Sequence, residues 1–313
     1  MSKQEKTVVM FPGQGSQYLG MGREFLAADL QAGEMLEQAE AISGLPLRRL
    51  CLEGPEDQLT RTLHLQPALT AVNLLCWQAA SRAGIKADFF IGHSLGEYSA
   101  LAAAGVLSFA NTIELVTQRG RLMEREAQAN PGGMAAVVKL DFDTVTEIVA
   151  SASAHGRLAV ANHNSQAQIV ISGESSALEA AAVLVKDKGG KAIALKVSGA
   201  WHSALIAGAI PDFTEVMGRL QVNPPQTPVI FNVTAAPADD PARIREIMAS
   251  QIAATVRWHE VIEYLLAAGA RRFIEVGPKT VLSGMLKKMI PADMACEICQ
   301  LEDPITLESC LAA

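Results

Sequence analysis

The sequence predicts an α/β fold: a large α/β-hydrolase-like domain with a parallel sheet and a nucleophile elbow, interrupted by a small inserted ferredoxin-like (βαββαβ) domain. Three observations carry that expectation. Apolar runs alternate with amphipathic helical patterns from residue 7 to about residue 130, the alternation of a parallel sheet covered by helices. The stretch FFIGHSLGEYSA, residues 89–100, sets a serine between two glycines where a strand gives way to a helix. Residues 133–197 read as strand, helix, strand, strand, helix, strand, the ferredoxin-like order.

Each element has a local reason. TVVMF, residues 7–11, is a short apolar strand ending in the glycine-rich turn PGQGSQ. Helical patterns follow at 22–42 and 67–84, then a second strand at 87–92, a helix at 95–104 and an amphipathic helix at 108–128 that stops before Asn130, Pro131 and Gly132. In the insert, MAAVVKL, RLAVANH, QAQIVISG and KAIALKV are strands; DFDTVTEIVASASA, with Asp141 or Asp143 near its cap, and SSALEAAAVLVKDKGG are helices. Beyond it come a helix at 204–220, a strand at 228–233, helices near 241–252 and 258–268, a strand at 272–276 and a helix at 279–289. The expected division is 1–130 and 199–313 for the large domain and 131–198 for the insert.

Composition narrows the function. Half of the 313 residues are hydrophobic and 19% are charged, enough apolar material for a full core. A net charge of -7 without a dense Lys/Arg run argues against nucleic acid. No apolar stretch is long and uninterrupted enough to cross a membrane, and MSKQEKTVVMF lacks the apolar core of a signal peptide. Five cysteines, an odd number, argue against a disulfide framework, so a reducing cytoplasm is the expected compartment. Cys296 and Cys299 have C-x-x-C spacing, but no second pair or histidine cluster completes a zinc site, and idle thiols are expected there.

Gly92-His93-Ser94-Leu95-Gly96 matches G-x-S-x-G, in which small residues let a strand turn sharply into a helix and expose the serine. The hydroxyl of Ser94 then points into a cleft beyond the sheet, and the Leu95 N–H, at the positive end of the helix, faces any negative charge formed beside it. Capping the following helix is the plainer role for Ser94. Of six histidines, His202 in VSGAWHSAL is the favoured base because the chain there returns from the insert toward the cleft, whereas His93 is expected to pack beside the elbow. FPGQGSQ offers the N–H near Gln14 as a second oxyanion donor; a phosphate cradle is disfavoured because the P-loop lysine is missing.

Taken in order, FPGQGSQ, IGHSLGEYSAL, the QRG of TQRGRLM, ANHNSQAQIVISG, VSGAWHS and FIEVGPKTVLSGMLKK resemble the malonyl-CoA:acyl carrier protein transacylases of bacterial fatty-acid synthesis and their relatives, the acyltransferase domains of polyketide synthases. The resemblance implies that Ser94 takes the malonyl group as an ester and that His202 removes its proton and later activates the incoming thiol. It implies oxyanion N–H groups from Leu95 and Gln14, and a bidentate clamp on the malonyl carboxylate from Arg119. On the residues alone, Arg119 would be a surface group paired with Glu124. Leu95 and Trp201 resemble the malonyl-selective type, and Asn162 matches an asparagine near the family's site. Two departures stand out: Trp201 replaces a frequent phenylalanine, and Arg257 stands in the block ATVRW, where the family often has a glutamine whose main-chain carbonyl orients the histidine.

The same resemblance implies a ping-pong exchange from malonyl-CoA, with CoA leaving, to the phosphopantetheine thiol of acyl carrier protein, with no metal or redox cofactor, in a monomer. Carrier protein is normally acidic, so a local basic patch must receive it; Lys186, Lys188 and Lys191, or Arg271, Arg272, Lys287 and Lys288, are the candidates. A serine thioesterase or hydrolase with the same elbow and a non-catalytic acyl-CoA-binding protein are the alternative readings. Fatty-acid, polyketide and malonate-breakdown pathways stay open, the first being favoured.

Overall fold

The computed structural model describes residues 5–312. Its eight strands are β1 (Lys6–Phe11), β2 (Phe89–Gly92), β3 (Gly133–Val138), β4 (Leu158–Ser165), β5 (Gln168–Gly173), β6 (Lys191–Ala194), β7 (Ala270–Val276) and β8 (Glu297–Leu301). They make two sheets: β2-β1-β7-β8, parallel throughout, and β4-β5-β3-β6, antiparallel throughout.

Alternation along β1 explains why the parallel sheet is buried on both faces. Val9 and Phe11 join a core with Leu69, Val72 and Val116 from the helices Thr62–Arg82 and Phe109–Ala129, while Val8 and Met10 join another with Trp258, Val261 and Leu265 from the helix Trp258–Ala267. Strands covered on both sides read as unbroken apolar runs. In the antiparallel sheet the two faces differ. Val137, Ile169 and Ile171 pack on Val145, Ile148 and Val185 of its own helices, whereas Met134, Ala136 and Val170 turn toward the larger core.

Register places the site. β1 and β2 are neighbours with Phe11 opposite Gly92, so the loops that leave their C-terminal ends lie side by side. That is where ligands bind in open parallel sheets.

Several expected elements take a different form. The helix expected at 22–42 is two, Arg23–Ala28 and Leu30–Ser43, broken at Asp29, whose extended backbone (φ -133°) frees its carboxylate to cap the Gln31 N–H. The strand expected at 228–233 joins no sheet and makes only single bridges, Val229 to Phe90 and Ile230 to Pro237. Pro224, Pro225 and Pro228 remove backbone donors along its approach. The helix expected at 204–220 opens with a separate short turn, Ala204–Ile206, and runs from Ala209 to Arg219. Strand β8, carrying Cys296's neighbour Glu297 and Cys299, was not expected at all; it adds an edge beside β7.

Candidate active site

The turn at Ser94 is built by the absence of side chains. A Cβ on Gly92 would lie 2.0 Å from the Gly96 carbonyl carbon, and one on Gly96 would lie 2.0 Å from the Phe11 carbonyl oxygen. Ser94 sits at φ 50°, in the left-handed region that a serine occupies at a cost of about 1–3 kcal/mol. Three bonds hold it there: its N–H donates to Asn232 Oδ1 (2.8 Å), its carbonyl accepts from Gln251 Nε2 (2.9 Å), and the Asn232 amide donates to the Gly92 carbonyl (2.8 Å).

Ser94 Oγ lies 2.7 Å from His202 Nε2. His202 also has left-handed backbone, φ 57°, and is 4% exposed. Its Nδ1 lies 3.0 Å from the main-chain carbonyls of both Gln251 and Ala254. Carbonyls only accept, so Nδ1 carries the proton and Nε2 is left with a lone pair for the serine. Burial, and then the positive charge of Arg119, push the His202 pKa down to about 3, so the imidazole is neutral at pH 7.

This corrects one expectation. Arg257 does not orient the histidine: its N–H donates to the Asn232 carbonyl and its exposed side chain pairs with Glu260. Residue 257 begins the helix Trp258–Ala267, several residues past the turn whose carbonyls reach the imidazole.

Arg119 is 1% exposed rather than on the surface, and Glu124 pairs with Arg61 instead. Its guanidinium lies over the Tyr98 ring at 5.2 Å, donates to Gln251 Oε1 at 3.0 Å and comes within 3.5 Å of Ser94 Oγ. Its Nε has no partner among the described residues. The amphipathic helix Phe109–Ala129, started by Ser108 accepting from Asn111 N–H, carries this charge inward on its buried face.

Opposite, a Cβ on Gly13 would meet the His93 carbonyl oxygen at 2.3 Å, so only glycine lets the loop after β1 close on the elbow. Gln14 and Leu95 both line the resulting chamber, and the N–H of neither finds an acceptor among the described residues. Asn162 and Trp201 line it too, the latter with its indole Nε1 unpartnered among the described residues. The chamber holds about 300 Å³, and Met134, Ala136, Val170, Leu195 and Val197 form its apolar wall. His93 packs beside the elbow, its ring 5.4 Å from Trp258 and its Nε2 2.8 Å from Asn164 Oδ1.

Sequence reasoning missed three residues, Glu97, Asn232 and Gln251, each fully buried. Glu97 accepts from the Asn232 N–H (2.8 Å) and from Gln251 Nε2 (2.5 Å). Its place three residues after Ser94 was the available signal. Burial raises its pKa to about 7 despite those bonds and the nearby Arg119. The cysteines at 296 and 299 are free thiols; burial raises both, Cys299 to about 12, which leaves them protonated. No group of three or more His, Cys, Asp or Glu among the described residues could hold a metal ion, and no helix there is long and apolar enough to cross a membrane.

Comparison with known proteins agrees with this architecture. Residues 8–299 match the family model described as acyl transferase domain. The chain is 38% identical over 305 residues to the malonyl CoA-acyl carrier protein transacylase of Bacillus subtilis, covering 97% of this chain and 95% of that one. A crystal structure of malonyl-CoA:acyl carrier protein transacylase from Xanthomonas oryzae is 37% identical and superposes with a TM-score of 0.94, covering 99% of this chain and 98% of the other. A malonyl-transacylase solved in complex with its type II polyketide synthase acyl carrier protein is 32% identical, with a TM-score of 0.94 over 98% of this chain and 99% of that one. A serine beside a histidine on a glycine-flanked turn, a parallel sheet carrying it and a match across nearly the whole length agree: this chain belongs to the acyl transferase domain family.

Proposed function

We propose that the chain transfers a malonyl group from malonyl-CoA to the phosphopantetheine thiol of an acyl carrier protein, by way of an ester on Ser94. The observation that carries this reading is a buried, incompletely paired guanidinium, Arg119, 3.5 Å from a serine hydroxyl that is itself 2.7 Å from a neutral imidazole. A charge buried with free donors calls for an anionic partner, and the malonyl carboxylate supplies one while its thioester carbonyl reaches Ser94 Oγ.

In the first half-reaction His202 Nε2 takes the Ser94 proton as Oγ attacks the thioester carbonyl, and the oxyanion settles on the N–H groups of Gln14 and Leu95. Collapse expels CoA as thiol, with the proton returned from His202. In the second half, the carrier thiol loses its proton to His202 and attacks the ester, and Ser94 leaves with its proton restored. No step calls on a metal or redox cofactor. Residues 131–198, as an inserted unit, supply the apolar wall along which the pantetheine arm lies, with Asn162 and Trp201 beside the acyl group.

A hydrolase reading would call for an Asp or Glu beside the base, and His202 has two carbonyls there instead. The test is to incubate the protein with malonyl-CoA alone and weigh it intact. A stable malonyl adduct is expected, absent in Ser94→Ala and discharged on adding holo carrier protein; rapid release of free malonate with no adduct would overturn the proposal.

A further inference from the structure

Behind the reacting groups lies a buried chain of polar side chains that the mechanism above does not use. Glu97 Oε1 accepts from the main-chain N–H of Asn232, and Glu97 Oε2 accepts from Gln251 Nε2. The same Nε2 donates to the Ser94 carbonyl, and Gln251 Oε1 accepts from Arg119. An amide has one donating and one accepting end, so whatever fixes the direction of Gln251 decides whether Arg119 meets an oxygen or an NH2.

The structure assigns that decision to Glu97: we propose that its carboxylate is a positioning residue for substrate selection, holding the Gln251 amide in the one orientation that offers Arg119 an acceptor and so fixes the guanidinium for an acyl carboxylate. The reasoning turns on which donor can move. The Asn232 N–H belongs to the backbone and cannot turn away, so a neutral carboxamide at 97 must give it the oxygen. Its NH2 then faces Gln251, which is free to flip. Flipped, Gln251 sets its oxygen against the Ser94 carbonyl and its NH2 against the guanidinium, two like-on-like contacts replacing two hydrogen bonds. A carboxylate, accepting at both oxygens, is the group that avoids this.

The inference rests on Arg119 holding the substrate carboxylate, so both are tested together by comparing kcat/KM for malonyl-CoA and acetyl-CoA. Glu97→Gln is expected to lower the malonyl-to-acetyl ratio about tenfold, the scale of one lost hydrogen bond to a charged group, with thermal unfolding still cooperative. The exchange Glu97→Gln with Gln251→Glu restores an acceptor to Arg119 but leaves the Ser94 carbonyl without its donor, so the ratio recovers while turnover does not. Should Glu97→Gln fail to fold, Gln251→Ala, which keeps the main-chain carbonyl on His202, is expected to show the same fall. Equal losses for both substrates, with the ratio unchanged, would overturn the role of Glu97. Arg119→Ala is the control: if it too leaves the ratio unchanged, the carboxylate reading itself fails, whereas a collapse there beside an unchanged Glu97→Gln ratio condemns the Glu97 proposal alone.

Discussion

The two polar walls of the chamber are opposites. On one side Gln14 and Leu95 line the chamber, their N–H groups without an acceptor among the described residues. On the other, Arg119 lines the chamber and is tied to Gln251, Glu97 and Asn232 behind it by a nearly closed chain of hydrogen bonds. A donor left open suits a charge that exists only in the transition state, because it stabilises that state without binding the substrate more tightly. A pre-organised, braced cation suits a charge present throughout, the carboxylate of the acyl group. In the proposed mechanism one wall serves rate and the other serves choice.

Gly13→Ala attacks the first wall. The new Cβ would press on the His93 carbonyl oxygen, 2.3 Å away, and part the Gln14 loop from the elbow. Turnover is expected to fall roughly 10²–10³-fold, the cost of losing an oxyanion donor, for malonyl and acetyl substrates alike. Steady-state kinetics with both substrates checks this, and a changed preference would erase the distinction between the walls.

Arg119→Ala attacks the second. Malonyl-CoA kcat/KM is expected to fall about 10²-fold, the lower range for truncating one partner of a buried charge pair, while acetyl transfer holds or rises. Competition between the two thioesters, read by the mass of the adduct on Ser94, measures it directly.

Two buried titratable groups of the site, His202 and Glu97, also answer pH with opposite signs. The His202 pKa is depressed from 6.5 to about 3 by burial and Arg119, so its stabilising contribution is present above pH 6.5 and is lost as pH falls toward 3. The Glu97 pKa is raised from 4.5 to about 7 by burial, so its contribution is present below pH 4.5 and is lost as pH rises through 7. Denaturant titrations should show the parent losing ground to His202→Asn on acidification, asparagine tolerating the left-handed backbone, and losing ground to Glu97→Gln between pH 4.5 and 7. The reverse slopes would mean that these groups are not buried as described.

The smallest effect belongs to Arg257→Ala. Its exposed pair with Glu260 contributes less than about 1 kcal/mol, and its carbonyl is not among those facing His202. Melting temperature and kcat close to the parent's are expected; a large loss of activity would return the histidine's orientation to residue 257.

Much of this arrangement was legible in the sequence because it is local. The turn at Ser94 announces itself through flanking glycines and an apolar strand, and the antiparallel sheet through its strand and helix order. Glu97, Asn232 and Gln251 were not legible, since their meaning lies in contacts made across more than a hundred residues: Asn232 with Glu97, and Gln251 with Ser94. Gln251 closes the helix Pro241–Gln251, where a glutamine reads as an ordinary polar end. Arg119 shows the same blindness from the other side, because an arginine on an amphipathic helix looks solvated until the neighbouring chain buries it. Strand β8 escaped because EICQL is short and opens on a charge, and its pairing beside β7 is a matter of tertiary placement.

The twin carbonyls on the imidazole have one more implication. With dipoles rather than an anion behind it, this base never gains the proton affinity that a carboxylate neighbour would lend. A sulfhydryl, which ionises near pH 8.5, asks little of such a base, whereas a water molecule, far less acidic, asks a great deal. In the proposed mechanism, an acylated Ser94 attended by so mild a proton acceptor discriminates between sulfur and solvent by acidity, and waits for the former.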